Sequence, residues 1–564
     1  MRFAPRWKHY LAIAAIVCGA LSACGCRQSA SSSNSSAASS SNSNPADGGV
    51  APDALLDSAV QLLQSSQRSP IAHQVAAQRL NQYLLKSAAS GQPLLEPLSA
   101  EVETTLASGL TPEQFQQLKS EQFDRPDSLH LEACFLRRDV VKHVTAGIRD
   151  DLGKIQALFD WVIRNIQIVG TDEAPPVPLT TGVTLILGRG TAEERAWTFM
   201  ELLRQIEIES VMLAHVKRDL KENKFVFTPL LPAVWLDDSL YLFDTTLGLP
   251  VPGPNGEGVA TLSQVQANPE LLFQLDLDVE RPYRIRPDHL NTIVLLLEST
   301  PDYWSPRMRF LQERLSGDNR AVLWSDFSKV YARFRQATSE KTEFELWPLP
   351  KTVERVARTQ EYRDRLVGGR EQIIGLLTPY QFFPGSDARA AHLHGHWRDA
   401  IPIYLENRVS FPEWTSQERN RIGFRTLAAN ASKKDRTPDE MGQELAAKVP
   451  ELYNLIREDS TYFLGVAKFE QREYEPAANW MGKSYLEKYP EGRWRASALY
   501  HLGRCAEAQQ NFEKAIEYYT QDRTSPQAHG NLIRARRLGW KPDAAASVSD
   551  DAPAVSEKPG KGSP

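Results

Sequence analysis

The sequence has little cysteine: five in 564 residues, at positions 18, 24, 26, 134 and 505. Cys24 and Cys26 enclose a single residue, so no C-x-x-C pair offers the usual zinc spacing. The four cysteines beyond the N-terminal apolar run are too widely scattered for a disulfide framework. Charge of one sign is also missing. Lys and Arg total 65 against 70 Asp and Glu, a net -5 without the basic excess of a nucleic-acid binder. The N-terminal apolar run, LAIAAIVCGAL (11–21), is too short to cross a bilayer as a stable helix. With 41% hydrophobic and 24% charged residues the body reads as globular, and the length calls for about three or four domains.

What is present begins with an export signal. Arg2, Arg6 and Lys8 precede the apolar run, and Leu21-Ser22-Ala23 lead directly into Cys24. This resembles the bacterial lipoprotein signal, which implies cleavage after Ala23 and lipid on the Cys24 thiol. Gly25 stands where an aspartate would imply inner-membrane retention, so the expected location is the outer membrane, facing the periplasm. A plain secretory signal cut near Ala23 is the alternative. Residues 24–50 form a Ser/Asn/Ala-rich tether, and residues 541–564 are a second low-complexity tail.

Between these ends helical periodicity dominates. Residues 51–125 predict two or three short helices, among them APDALLDSAVQLLQS and QVAAQRLNQYLLKSA. Residues 126–265 hold an amphipathic helix, DDLGKIQALFDWVIRNIQI (150–168), and then GRGTAEERAWTFMELLRQI (188–206). In the latter Thr191 and Glu194 form a T-x-x-E capping box, and Gly188 and Gly190 permit a sharp turn before it. Ala196, Phe199, Leu203 and Ile206 line one face. Strands are expected at 210–216, 224–238 and 240–246, with a hairpin turn at Asp237-Asp238-Ser239. Residues 266–375 are expected to be a helical connecting region, with LNTIVLLLEST buried.

The order of helix, glycine turn, buried helix and antiparallel strands resembles the transglutaminase-like (papain-like) fold, an α+β architecture. Gly190, Ala192, Glu194, Ala196, Leu202-Leu203-Arg204 and Ile208 fall on that family's pattern around its cysteine. VWLDDSLYLFD (234–244) resembles its strand–turn–strand ending in an aspartate, here Asp244. The family uses a thiolate at the helix N-terminus, activated by a histidine that the aspartate orients. Here Ala192 takes the cysteine position. No histidine lies between His215 and His289, around Pro229 where one is expected, so only Asp244 remains of the triad. Cysteine acyl transfer is therefore excluded at this site, and the resemblance implies a pseudoenzyme whose cleft has room for a peptide-like ligand. The alternative is an envelope hydrolase acting on peptide or peptidoglycan through Glu193, Glu194 and Asp244. Against it, Glu194 is explained by capping, and the helix dipole should hold both glutamates ionised. Cys134, in LEACFLRRDV, reads as a buried structural thiol. No cofactor is expected.

HLHGH (392–396) is the only histidine cluster. On a strand alternate histidines would share a face and could ligate a metal. ARAAHLHGHWRDAIPIYLEN (388–407) instead reads as helix, turn, helix, which spreads them, and no metal site is expected. That pair resembles a tetratricopeptide unit. Clearer ones follow at 461–490 and 498–522, with Leu464-Gly465 and Ala477, then Leu502-Gly503, Ala515 and Tyr519, on the packing positions. Helical repeats over 376–540 imply a protein partner, for which Trp480, Tyr485, Trp494 and Tyr500 are candidate surface anchors. The combined expectation is a lipid-anchored envelope scaffold with a degenerate transglutaminase-like domain at 126–265.

Overall fold

The prediction of strands after residue 209 is met by a single sheet whose order the sequence did not reveal. A computed structural model describes residues 51–64, 70–87, 95, 97–98, 100–170, 179–219, 224–290, 292–338, 342–358, 386–408 and 438–541. The expected lipoprotein signal and tether (1–50) and residues 542–564 of the expected tail lie outside the described residues. A short parallel pair joins β1 (Gln167–Ile168) and β2 (Arg189–Gly190). Strands β3 (Ser210–Asp219), β4 (Lys224–Leu236), β5 (Ser239–Asp244), β6 (Leu249–Pro250), β7 (Ile293–Leu297) and β8 (Glu343–Leu346) build a six-stranded mixed sheet, in the order β6-β5-β4-β3-β7-β8. With the surrounding helices this makes an α+β architecture.

The β4–β5 hairpin closes through Asp237 and Asp238, both at positive φ (47° and 55°), the two-residue turn whose twist matches paired strands. Pro229 and Pro232 cannot donate to a ladder. The β3–β4 register slips there, with Leu213 opposite Leu231 and Ala214 opposite Pro229.

Two expectations for 266–375 are corrected. Residues 293–297 form a strand rather than a helix, and β8 follows beside it in parallel. A short apolar run such as IVLLL suits a buried strand as well as a buried helix, and the free edge of β3 decides between them. The boundary at 265 therefore cuts through the sheet.

Pairing parity assigns the two faces. Met212 and Ala214 of β3 pack with Ala196, Trp197 and Met200 of the Ala192–Arg204 helix. Phe243 of β5 and Val234 of β4 meet Phe199, Leu202 and Leu203 of the same helix. On the other face Val211, Leu213, Ala233, Leu240 and Leu242 join a larger core with Leu272, Ile285 and the helices before residue 144.

The C-terminal helices share a core with the rest of the chain. Tyr500, Ala506, Ala515 and Tyr519 share a core with Phe159, Trp161, Phe199 and Phe243 of the α+β body. Polar contacts reinforce the junction: Arg504 pairs with Asp160 at 2.8 Å, Asn165 donates to Glu470 at 2.9 Å, and Gln167 donates to the Arg493 carbonyl at 2.7 Å. Within the pairs Gly465 lets the Met481 chain approach to 2.6 Å of where a Cβ would stand, and Gly503 does the same for Tyr519. Among the described residues no helix is long and apolar enough to cross a membrane.

Candidate functional site

The start of the Ala192–Arg204 helix is built as its sequence predicts. Thr191 Oγ1 accepts from the Glu194 amide at 3.2 Å, and Glu194 Oε2 accepts from the Thr191 amide at 2.7 Å. The second oxygen, Oε1, accepts from the Leu179 amide, so Glu194 also fixes the segment entering the preceding Thr181–Leu187 helix. That helix ends at Gly188, at φ 62°, where a Cβ would meet the Asn165 carbonyl at 3.1 Å and the Phe463 ring at 3.0 Å. Gly190 leaves space for Glu194, whose Oε2 would stand 2.9 Å from a Cβ there.

Burial works on both glutamates at this helix start. Burial pushes the Glu194 carboxyl above its ordinary range, with the Leu179 and Thr191 amides pulling the other way. Glu193 is also raised by burial, and the Trp347 indole offsets only part of it. Burial thus opposes, at both glutamates, the stabilisation of the ionised form expected from the helix end.

Among the described residues this helix starts with the capping Thr191, Ala192 and the two glutamates. Ala192 is half-buried and Pro229 lies opposite Ala214 on the helix side of the sheet. Trp347, fully buried, packs on Trp197 and, with Val353 of the Pro348–Arg358 helix, closes the space beside Ala196 and Met200. Asp244 has the parity of Leu240 and Leu242 and points to the opposite face. There it is fully buried: Oδ1 accepts from the Thr246 and Leu247 amides and from Arg284 at 3.0 Å, and Oδ2 accepts from the Tyr283 hydroxyl at 2.6 Å. Glu193, Glu194 and Asp244 therefore do not converge on one point.

A denser group of reactive side chains sits elsewhere. The repeating offsets in H-L-E-A-C-F-L-R place His130, Cys134 and Arg137 on one face of the Arg125–Val144 helix. His130 Nε2 is 3.5 Å from Cys134 Sγ, Arg137 Nη2 is 3.4 Å away and the Tyr303 hydroxyl 3.7 Å. Arg137 pairs with Glu201 at 2.6 Å, Arg204 pairs with Glu298 at 2.9 Å, and the Arg204 guanidinium covers the Tyr303 ring at 3.8 Å. Burial alone would raise the Cys134 thiol, but His130 and Arg137 bring it down to about 7. The same contact overcomes the effect of burial on His130 and lifts its imidazole. Cys134 is buried, as expected, but it lies in a charged network rather than an apolar one. With no exposed surface it offers no route to a substrate. The i,i+4 pairing of His130 with Cys134 was the signal available in the sequence.

Across the turn, where Gly395 has φ 77°, His392 parts from the other two histidines of the triplet, which stay together. His392 bonds Glu470 at 2.9 Å and Tyr404 at 3.2 Å, His394 bonds Asp139 at 2.7 Å, and His396 stacks on His394. Among the described residues no three His, Cys, Asp or Glu side chains are grouped to hold a metal. The surface-anchor reading is corrected for three residues. Tyr485, Trp494 and Tyr500 are buried, with Trp494 stacked on Tyr462 at 4.5 Å, because the large rings fill the gaps between stacked helices. Trp480 alone is part-exposed, beneath Arg408 at 4.5 Å.

No family model, curated protein or solved structure matches this chain.

Proposed function

We propose that this protein is a binding or scaffold component of the bacterial cell envelope, anchored through lipid on Cys24, with a transglutaminase-like domain that has lost its chemistry. The observation that carries the reading is the absence of a reactive pair at the start of the Ala192–Arg204 helix: alanine at the nucleophile position, proline on the facing strand and Asp244 turned to the far side. Acyl transfer needs a nucleophile and a base within hydrogen-bond reach, and neither is there. Tetratricopeptide-like helices supply the recognition surface. Arg504, Glu470 and Arg493 of this region are engaged by the chain's own body through Asp160, Asn165 and Gln167, and Leu405 and Phe512 stand exposed as candidate contacts for a protein partner.

The test places a photo-crosslinking amino acid at Leu405, at Phe512 or at Phe225 on the distant β3–β4 hairpin, in the full chain within intact envelopes. The expected outcome is one protein adduct from the repeat positions and none from Phe225. Wild-type turnover of peptide or peptidoglycan that disappears in Glu193→Gln would overturn the reading in favour of the carboxylate hydrolase.

A further inference from the structure

The β3–β4 hairpin reaches past the rest of the sheet. β7 pairs with β3 only over 212–215, and β5 pairs with β4 only over 233–236. Val216 and Phe227 form the outermost pair that packs on the body. Beyond them the pairs Lys217–Val226, Arg218–Phe225 and Asp219–Lys224 continue as an arm with no third strand on either side.

Apolar surface on this arm lies on both faces. Phe225 is 64% exposed and Val226 39%, and consecutive strand residues point to opposite sides. They are the only sequence neighbours among the exposed large hydrophobic residues of the described chain. A protein docked on one face of the arm would cover one of them and leave the other in water. A lipid interface entered by the end of the arm takes up both. The arm is also basic where the chain is acidic: Lys217, Arg218 and Lys224 stand against Asp219 alone, in a chain of net -5. Lysine on a bare strand edge discourages pairing with other chains, but that role gives no reason for an exposed phenylalanine beside it. Cations interleaved with apolar residues complement anionic headgroups over an acyl boundary.

The chain before the described body fits the same occupant. On the anchored reading above, residues 24–50 join the lipid to the body, and a Ser- and Asn-rich stretch of that length reaches about 30 Å. At that effective concentration a weak contact is enough.

We propose that the end of the β3–β4 arm docks on anionic lipid, with Phe225 and Val226 at the acyl boundary and Lys217 among the headgroups. The tether argument rests on the anchored reading; the chemistry of the arm does not.

The experiment puts p-benzoylphenylalanine in place of Phe225, or of Leu405 as the control, in the full chain. The chain is irradiated on vesicles of phosphatidylcholine, alone or mixed in equal parts with phosphatidylglycerol. Mass spectrometry is expected to find lipid adducts at position 225 about fivefold or more abundant on the mixed vesicles, the weight of one cation near an anionic surface, and none at position 405. Lys217→Glu is expected to lower the yield by about fivefold or more with circular dichroism unchanged, and Lys224→Glu carries the test if the first variant does not fold. Cys24→Ser is expected to release the chain from intact envelopes and to leave the vesicle adducts as they were. A chain that stays in the envelope counts against the anchor and not against the arm. No lipid adduct at position 225, equal yields on the two kinds of vesicle, equal yields at 405, adducts unchanged in the folded charge variants, or a protein adduct at 225 in intact envelopes would each overturn the proposal.

Discussion

Trp347 lies against Trp197 with ring centroids 6.5 Å apart and planes at 71°, so an indole from beyond the sheet closes the start of the helix that carries Ala192. Trp347 is fully buried and the strand–helix connection after β8 holds it in place through the Leu297 carbonyl, which accepts its amide at 2.7 Å.

Trp347→Ala is expected to destabilise the fold by about 3–5 kcal/mol, the usual cost of removing a buried indole. It should also unblock the helix start. A cysteine introduced as Ala192→Cys is expected to react with iodoacetamide several-fold faster in the Trp347→Ala background than alone, as a mass-spectrometric time course would read. Equal rates would mean that Trp347 does not guard the site.

Glu194 holds two amides, one on each side of Gly190, whereas Thr191 holds one. Thr191→Ala should cost about 1 kcal/mol as a lost cap. Glu194→Ala should cost about 2–4 kcal/mol, because it also strands the buried Leu179 amide. Urea denaturation of the two variants separates them, and equal losses would show that the Leu179 bond contributes nothing.

Helix approach among the C-terminal helices is tested by two glycines. A Cβ at Gly530 would run into the backbone carbonyl of Leu247, which has no rotamer to yield, while at Gly482 the nearest atom is Leu502 Cδ2 at 4.0 Å. Gly530→Ala is expected to cost about 1–3 kcal/mol and to loosen the last helix from the body. Gly482→Ala should be neutral or stabilising by about 0.5 kcal/mol. Thermal midpoints and hydrogen exchange of residues 528–537 report both.

Acid sensitivity should centre on His501. Burial among Tyr462, Phe469 and Tyr500 holds its imidazole down to about 3, even though Nδ1–H donates to the Ser497 carbonyl at 2.9 Å. The folded ring is neutral while the unfolded one takes a proton below 6.5, so the unfolded state binds more protons between those values. Stability from this group is complete above pH 6.5 and falls by about 1.4 kcal/mol per unit as pH drops toward 3. His501→Asn, which keeps an N–H and removes the titration, should flatten that slope in denaturation series from pH 7 to 4. An unchanged slope would assign the acid sensitivity to other groups.

Local chemistry was legible before any coordinates. The T-x-x-E cap at Thr191, the Asp237–Asp238 turn and the small residues at Gly465 and Gly503 each act over a few residues of chain, and each occurs where the sequence places it. Less legible was the fate of apolar runs and large rings. Periodicity cannot say whether IVLLL is helix or strand, nor whether Tyr485 and Trp494 face water or a neighbouring helix. The Cys134–His130 pairing was visible as i,i+4 spacing, but its charge depends on Arg137, Glu201 and Tyr303, the last of which lies 169 residues from the thiol.

The sequence by itself determined that alanine stands at position 192 and that no histidine lies between His215 and His289, because these are matters of residue identity. It also determined the caps, turns and close helix contacts, whose physics is local. Only the tertiary structure decided that Asp244 serves Tyr283 and Arg284 on the far face, that Trp347 packs on Trp197 near the helix start, and that Tyr500, Ala515 and Tyr519 bury themselves against the α+β body. Those outcomes depend on strand parity and on contacts between segments hundreds of residues apart, where which partner is nearest is set by the whole packed core.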